Sequence, residues 1–62
     1  MPYVSIRVAG TLTKEQKQEM SAGVTAVIAK VANKPPENVL IFIDEVAKEN
    51  IAKGGKLLDP PA

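Results

Sequence analysis

The stretch that most constrains the fold is Val39–Ile43, five apolar residues in an unbroken run that Asp44 and Glu45 close. Four of the five are β-branched or aromatic, which predicts a β-strand. Side chains alternate along a strand, so both faces are apolar, with Val39, Ile41 and Ile43 on one side and Leu40 and Phe42 on the other. A strand of this kind is typical of a parallel sheet that is covered on both sides.

The chain is too short to supply that cover alone. With 62 residues we expect one domain, residues 1–62, which buries only about 60% of the surface that its unfolded chain exposes. Small domains are commonly stabilised by disulfides, a metal or oligomerisation. There is no cysteine and no histidine, and the carboxylates form no cluster, so we expect no metal and no cofactor. Oligomerisation remains, with copies of the chain covering the second face of the strand.

Two further elements precede the apolar run. Tyr3–Ala9 alternates apolar with more polar residues and predicts a strand. Thr13–Gln16 fits a capping box, and it begins a helical pattern that runs to about residue 32. The apolar stripe of that helix is Met20, Val24, Val27, Ile28 and Val31. Gly23 lies inside the helix, and we expect it to mark close contact between helix and sheet.

The order of elements predicts an α/β fold. Asn33 can adopt the left-handed conformation that ends a helix, and Pro35 and Pro36 prevent its continuation. Strand, long helix and strand form a right-handed βαβ unit with parallel strands. Gly54 and Gly55 then predict a C-terminal β-hairpin in which residues 51–52 pair with residues 57–58. Residues 59–62 are expected to form a loose tail.

Composition argues against several classes of partner. The net charge is +1 without a basic run, and Tyr3 and Phe42 are the only aromatic residues, so a nucleic-acid partner is not expected. No apolar run approaches the 18 residues of a membrane span, and no signal peptide is apparent. We therefore expect a cytoplasmic protein without a membrane partner.

Few residues could carry catalysis. Without histidine or cysteine there is no Ser-His-Asp triad and no thiolate nucleophile. Asp44 and Glu45 are neighbours on a strand and point to opposite faces, so a solvated or ion-paired role is expected for both. The terminal amine has an unperturbed pKa of about 7.7–8.0, and removal of Met1 would give that amine to Pro2. Alternatively, Pro2 merely begins an edge strand, and its position in the sequence alone favours this alternative.

The chain resembles the 4-oxalocrotonate tautomerase family over nearly its whole length. The resemblance lies in the opening Met-Pro-Tyr-Val, in the segments 13–17 (Thr-Lys-Glu-Gln-Lys) and 41–46 (Ile-Phe-Ile-Asp-Glu-Val), and in the Gly-Gly-Lys at 54–56. It implies that the mature Pro2 amine is a general base, which moves a proton between carbons next to a carbonyl. It also implies that βαβ subunits form a homohexamer with active sites at subunit boundaries, without a cofactor.

Three pocket positions depart from the family pattern. Leu12 and Leu40 stand where well-studied members carry arginines that hold substrate carboxylates, and Ile51 replaces an aromatic pocket residue. The resemblance therefore implies a Pro2-dependent tautomerase for a small 2-oxo acid or related enol, with dicarboxylates disfavoured. A substrate carboxylate could still meet Arg7 or a lysine. The alternative is a non-catalytic oligomer of the same fold, structural or ligand-binding, and an unrelated binding module is a more distant one.

Overall fold

A parallel pair of strands forms the centre of the chain. In the computed structural model, which describes residues 1–59, β1 (Tyr3–Ala9) pairs with β2 (Leu40–Val46) from Tyr3↔Leu40 to Ala9↔Val46. The predicted parallel pairing is confirmed. The strand limits differ from the apolar run, because the Val39 N–H closes a 3₁₀ turn at Pro36–Asn38, while pairing with β1 continues β2 through its two acidic residues.

The helix α1 (Lys14–Ala32) begins and ends as the sequence predicts. The Gln16 N–H donates to Thr13 Oγ1 at 3.1 Å and the Thr13 N–H donates to Gln16 Oε1 at 2.9 Å, which confirms the capping box. Asn33 is left-handed, with φ 56°, and its N–H donates to the Ala29 carbonyl. Together with β1 and β2, the helix completes the βαβ unit.

The side of α1 that faces the sheet is rotated from the predicted stripe. The half-buried residues of the helix are Lys17, Met20, Ser21, Val24, Thr25, Ile28 and Ala29. Val27 and Val31 are 60% and 79% exposed, so this part of the predicted stripe does not pack on the sheet of its own chain. Neighbouring strands lie only about 5 Å apart, and a sheet of two strands is too narrow to cover the whole stripe.

Gly23 is a second correction. It is exposed, and a Cβ built on it would meet nothing within 4 Å. The prediction of close helix-to-sheet contact at this glycine is therefore wrong.

A two-residue turn forms the C-terminal hairpin. β3 (Ala52–Lys53) and β4 (Lys56–Leu57) pair antiparallel, and the Leu58 N–H donates to the Ile51 carbonyl at 2.8 Å. Gly54 and Gly55 have φ of 62° and 82°, values that L-residues rarely adopt and that a type I′ turn requires. The predicted hairpin is confirmed. The expected tail, residues 59–62, lies outside the described residues apart from Asp59.

No side chain in residues 1–59 is fully buried. The radius of gyration is 15.0 Å, against about 11 Å expected for a compact domain of this length. The accessible surface is 5053 Å², against about 3900 Å² for a folded monomer of this mass. The side of the sheet under α1 is half-buried, whereas Tyr3, Leu40 and Phe42 on the other side are exposed. An extended chain that leaves one apolar face of its sheet exposed is typical of a subunit that packs against other chains.

Candidate functional site

Pro2 lies at the amino end of β1, beside Leu40. The Leu40 N–H donates to the Pro2 carbonyl at 3.0 Å, because parallel strands bring their amino ends to one edge of the sheet. Pro2 is half-buried and Leu40 is 41% exposed. These two of the four predicted site residues are therefore neighbours within a single chain.

The nitrogen of Pro2 has two possible chemical states. With Met1 attached, it is an amide nitrogen without a basic lone pair. Removal of Met1 converts it to a secondary amine that can accept a proton. Met1 is 73% exposed, so the Met1–Pro2 bond lies at an accessible end of β1.

Leu12 lies at the opposite edge of the sheet. The Gly10 N–H donates to the Val46 carbonyl at 2.9 Å, which holds the start of the β1–α1 loop to the carboxyl end of β2. Leu12 is half-buried and lines a shallow depression with Gln16, Glu19 and Met20. β1 alone spans roughly 20 Å, so one chain does not bring Leu12 to Pro2.

A carboxylate holds the Leu12 loop in place. Glu45 Oε2 accepts from the Leu12 N–H at 2.8 Å, and Glu45 Oε1 accepts from the Lys17 ammonium. These donors, Lys17 first and Leu12 second, hold the pKa of the Glu45 carboxyl below its usual range. The predicted solvated or ion-paired role of Glu45 is confirmed, since Glu45 pairs with Lys17. Its contact with the Leu12 backbone was missed, because a bond between residues 33 positions apart leaves no local signal.

Asp44 points to the other face of the sheet, as predicted. Its Oδ2 lies 3.9 Å from Arg7 Nη2, and both side chains are more than half exposed. The two adjacent carboxylates therefore have separate cationic partners and cannot act together on one substrate atom.

Ile51 precedes the hairpin and follows a 3₁₀ turn, Lys48–Asn50. Its N–H donates to the Lys48 carbonyl at 3.1 Å and its carbonyl accepts from Leu58, so both of its backbone polar groups are satisfied. Ile51 is half-buried. It comes after the carboxyl end of β2, whereas Pro2 lies at the amino end of β1.

Residues 1–59 contain no group of three acidic side chains that could hold a metal ion. Within that range, α1 is also not apolar enough to cross a bilayer. Of the four predicted site residues, Pro2 and Leu40 lie at one end of the sheet and Leu12 lies at the other, while Ile51 follows the carboxyl end of β2 in the chain. A pocket that contains all four requires more than one copy of the chain.

Comparison with known proteins gives one family. The model of the tautomerase enzyme family matches residues 2–59. A probable tautomerase of Bacillus cereus is 40% identical over 58 residues, which cover 94% of this chain and 95% of the relative. A 2-hydroxymuconate tautomerase of Bacillus subtilis is 33% identical over 94% of both chains. Among solved structures, a heterohexamer 4-oxalocrotonate tautomerase from Chloroflexus aurantiacus has a TM-score of 0.84 and 26% identity, with 94% of each chain covered.

Proposed function

Because the chain belongs to the tautomerase family, we propose that it is an isomerase whose mature Pro2 amine is the general base. The observation that carries the proposal is the family match, which begins at Pro2 and continues through the hairpin. The half-buried position of Pro2 supports it, since a partly desolvated amine is more often neutral at working pH. The exposure of Met1 supports it too, because the amine forms only when Met1 is removed.

The reaction is a keto–enol proton transfer on a small 2-oxo acid. The neutral amine takes the proton from the enol hydroxyl, the carbonyl forms at C2, and the electron pair of the double bond moves to C3. The same amine, now protonated, returns the proton to C3. No atom is gained or lost and no net oxidation occurs, so the reaction consumes no co-substrate, and we expect no cofactor. Leu12, Leu40 and Ile51 form the apolar wall of this pocket and favour the neutral amine by desolvation.

The enzyme acts as an oligomer of identical chains. One chain leaves Pro2 and Leu12 at opposite ends of β1, exposes one face of the sheet, and is less compact than its length allows. The heterohexamer assembly of a related structure makes a hexamer the expected size. Light scattering at micromolar concentration measures it, and a stable folded monomer would contradict it.

The substrate carries one carboxylate and an apolar body. Leu12 and Leu40 supply contact area but no positive charge, whereas a charge-assisted bond to a carboxylate contributes roughly 1.5–3 kcal/mol. We expect phenylenolpyruvate to be turned over with a higher kcat/KM than 2-hydroxymuconate, the enol named for one relative. The reverse order would show that the pocket assignment is wrong.

The deciding experiment combines intact mass with kinetics. The active protein should lack Met1, and Pro2→Ala should keep a primary amine and a reduced kcat/KM. A variant with a residue inserted between Met1 and Pro2, shown by mass to keep its Pro2 nitrogen acylated, should lose activity while its oligomer remains. Full activity of that blocked protein would exclude the mechanism.

The pH profile tests the base directly. The kcat/KM should rise through one ionisation below the reference of about 7.7–8.0 for an α-amino group. Ile51→Lys should lower that ionisation further by like-charge repulsion, and Ile51→Glu should raise it. If neither substitution moves the profile, Ile51 does not line the pocket of the titrating group.

The alternative function is a non-catalytic oligomer of the same fold. Its supporting observation is the absence of both family arginines, at Leu12 and Leu40. A native protein that retains Met1 and turns over neither enol would favour this alternative.

A further inference from the structure

The hairpin places two like charges directly opposite each other. Lys53 pairs with Lys56 in the register of β3 and β4, and both residues are exposed. Like charges at directly opposed positions destabilise a strand pair. Within residues 1–59, the only ion pairs join Arg7 to Asp44 and Lys17 to Glu45, so no described carboxylate neutralises the hairpin lysines. Both ammonium groups are therefore available to an external anion.

The lysines lie on the same side of the hairpin as Ile51. Side chains alternate along a strand, so residues 51 and 53 share a face. The bond from the Leu58 N–H to the Ile51 carbonyl extends the ladder to Ile51, and the alternation therefore applies there. Lys56 is directly opposite Lys53 and shares that face as well. An anion held by the two lysines would thus lie next to Ile51.

The proposed pocket needs a cation of this kind. A 2-oxo acid carries a carboxylate, and an unpaired carboxylate is costly to bury beside Leu12 and Leu40. Arg7 is a poorer candidate, because it is already 3.9 Å from Asp44. Lys17 is also engaged, by Glu45.

We propose that Lys53 and Lys56 form the carboxylate-binding subsite of the pocket that Ile51 lines, and that they select a monocarboxylate with an apolar body. The inference rests on the proposed function, since that function assigns Ile51 to the pocket. The two ammonium groups donate hydrogen bonds to the carboxylate oxygens, while Ile51 contacts the apolar part of the same molecule. The positive charge of this pocket would come from the hairpin, whereas well-studied family members carry it at the positions of Leu12 and Leu40.

Binding of an unreactive ligand tests the subsite without any turnover. Cinnamate has one carboxylate and an apolar body, and cinnamamide is its neutral counterpart. Calorimetry should show that the combined Lys53→Met and Lys56→Met variant binds cinnamate at least about tenfold more weakly than the unchanged protein, with cinnamamide unaffected. The combined Lys53→Arg and Lys56→Arg variant should retain cinnamate binding.

A matched pair of lysines controls for net charge. Lys30→Met with Lys34→Met removes the same two charges at the end of α1 and should leave cinnamate binding unchanged. An equal loss in this control, or unchanged binding in the hairpin variant, would overturn the subsite. So would an unchanged protein that does not bind cinnamate. Removing the like-charge pair should not lower the melting temperature, and equal weakening of cinnamate and cinnamamide would indicate a structural effect and overturn the proposal.

Kinetics separate this inference from the proposed function. With phenylenolpyruvate, the hairpin variant should raise KM more than it lowers kcat, while the methyl ester of the same enol should show no change in kcat/KM. If the unchanged protein turns over neither compound, the proposed function fails, and the cinnamate measurement still decides whether the lysines bind a carboxylate.

Discussion

The face of the sheet that carries Ile6 and Ile43 lies under α1, whereas the face that carries Tyr3 and Phe42 is open. Both faces contain large apolar side chains. On the open face, the ring centroids of Tyr3 and Phe42 lie 6.3 Å apart, and Phe42 is 55% exposed. The difference shows that a βαβ unit with one helix can cover only one side of its sheet. The open side is then available to other copies of the chain.

Phe42→Asp, on the open face of the sheet, should have the largest effect on assembly. If copies of the chain cover the open face, a carboxylate at Phe42 would be buried without a partner, and we expect the oligomer to dissociate with loss of activity. Light scattering and circular dichroism measure assembly and folding together. Val31→Asp, at a more exposed apolar residue on α1, is the control and should retain the oligomer. An intact oligomer in the Phe42 variant would mean that the open face remains in solvent.

Ile6→Ala probes the covered face. Ile6 is half-buried under α1, so removal of its side chain should lower the free energy of unfolding by about 2 kcal/mol, near the lower end for buried aliphatic residues. Thermal or denaturant unfolding at fixed protein concentration measures the change. Assembly should remain, in contrast to the Phe42 variant. A loss below about 0.5 kcal/mol would show that α1 protects this face poorly.

Gly23→Ala extends the comparison to the two sides of α1. The outer side leaves space for a Cβ at Gly23, and alanine is the better helix former, so the helix should gain about 1 kcal/mol of stability. The melting temperature of the oligomer measures the gain. Destabilisation would mean that another copy packs closely on this side of α1, where a single chain leaves it free.

Loss of the Glu45 carboxylate should give the smallest change in stability. The lowered pKa of Glu45 means that its contribution to stability is present above the unfolded value of about 4.5 and is lost as the pH falls through the folded pKa. Glu45→Gln should therefore be less stable than the unchanged protein at pH 7, and the difference should shrink below about pH 4.5. Unfolding curves from pH 7 to pH 3 test this expectation. Lys17→Met removes the cationic partner of Glu45, and its loss of stability relative to the unchanged protein should also shrink as the pH falls. A loss of stability that stays constant from pH 7 to pH 3 would contradict the role of the Glu45 carboxylate.

The local elements could be read from the sequence because their signals are local. Alternation in residues 3–9, the capping box at Thr13, the helix end at Asn33 and the Gly54–Gly55 turn each depend on residues within a few positions of one another. The parallel pairing followed from the length of the connecting helix. The family resemblance added Pro2 as the candidate base, which local pattern alone did not favour.

The extent of each surface was decided only by the tertiary structure. Periodicity indicated an apolar stripe that includes Val27 and Val31, but it does not reveal that a sheet of two strands is narrower than that stripe. The predicted contact of Gly23 with the sheet was wrong because the neighbours of this residue depend on how α1 is rotated over the sheet. The hydrogen bond from the Leu12 N–H to the Glu45 carboxylate was not predicted, because it joins the β1–α1 loop to the end of β2 across 33 positions of the sequence.

The sequence by itself determined the order and type of the main elements, the ends of the helix, and that the sheet has two apolar faces. The tertiary structure decided which face α1 covers, and it separated Pro2 and Leu40 from Leu12 by the length of β1. The physical reason is that helix caps and tight turns are set by residues within a few positions of one another. Burial and distance depend on how the whole chain is arranged in space.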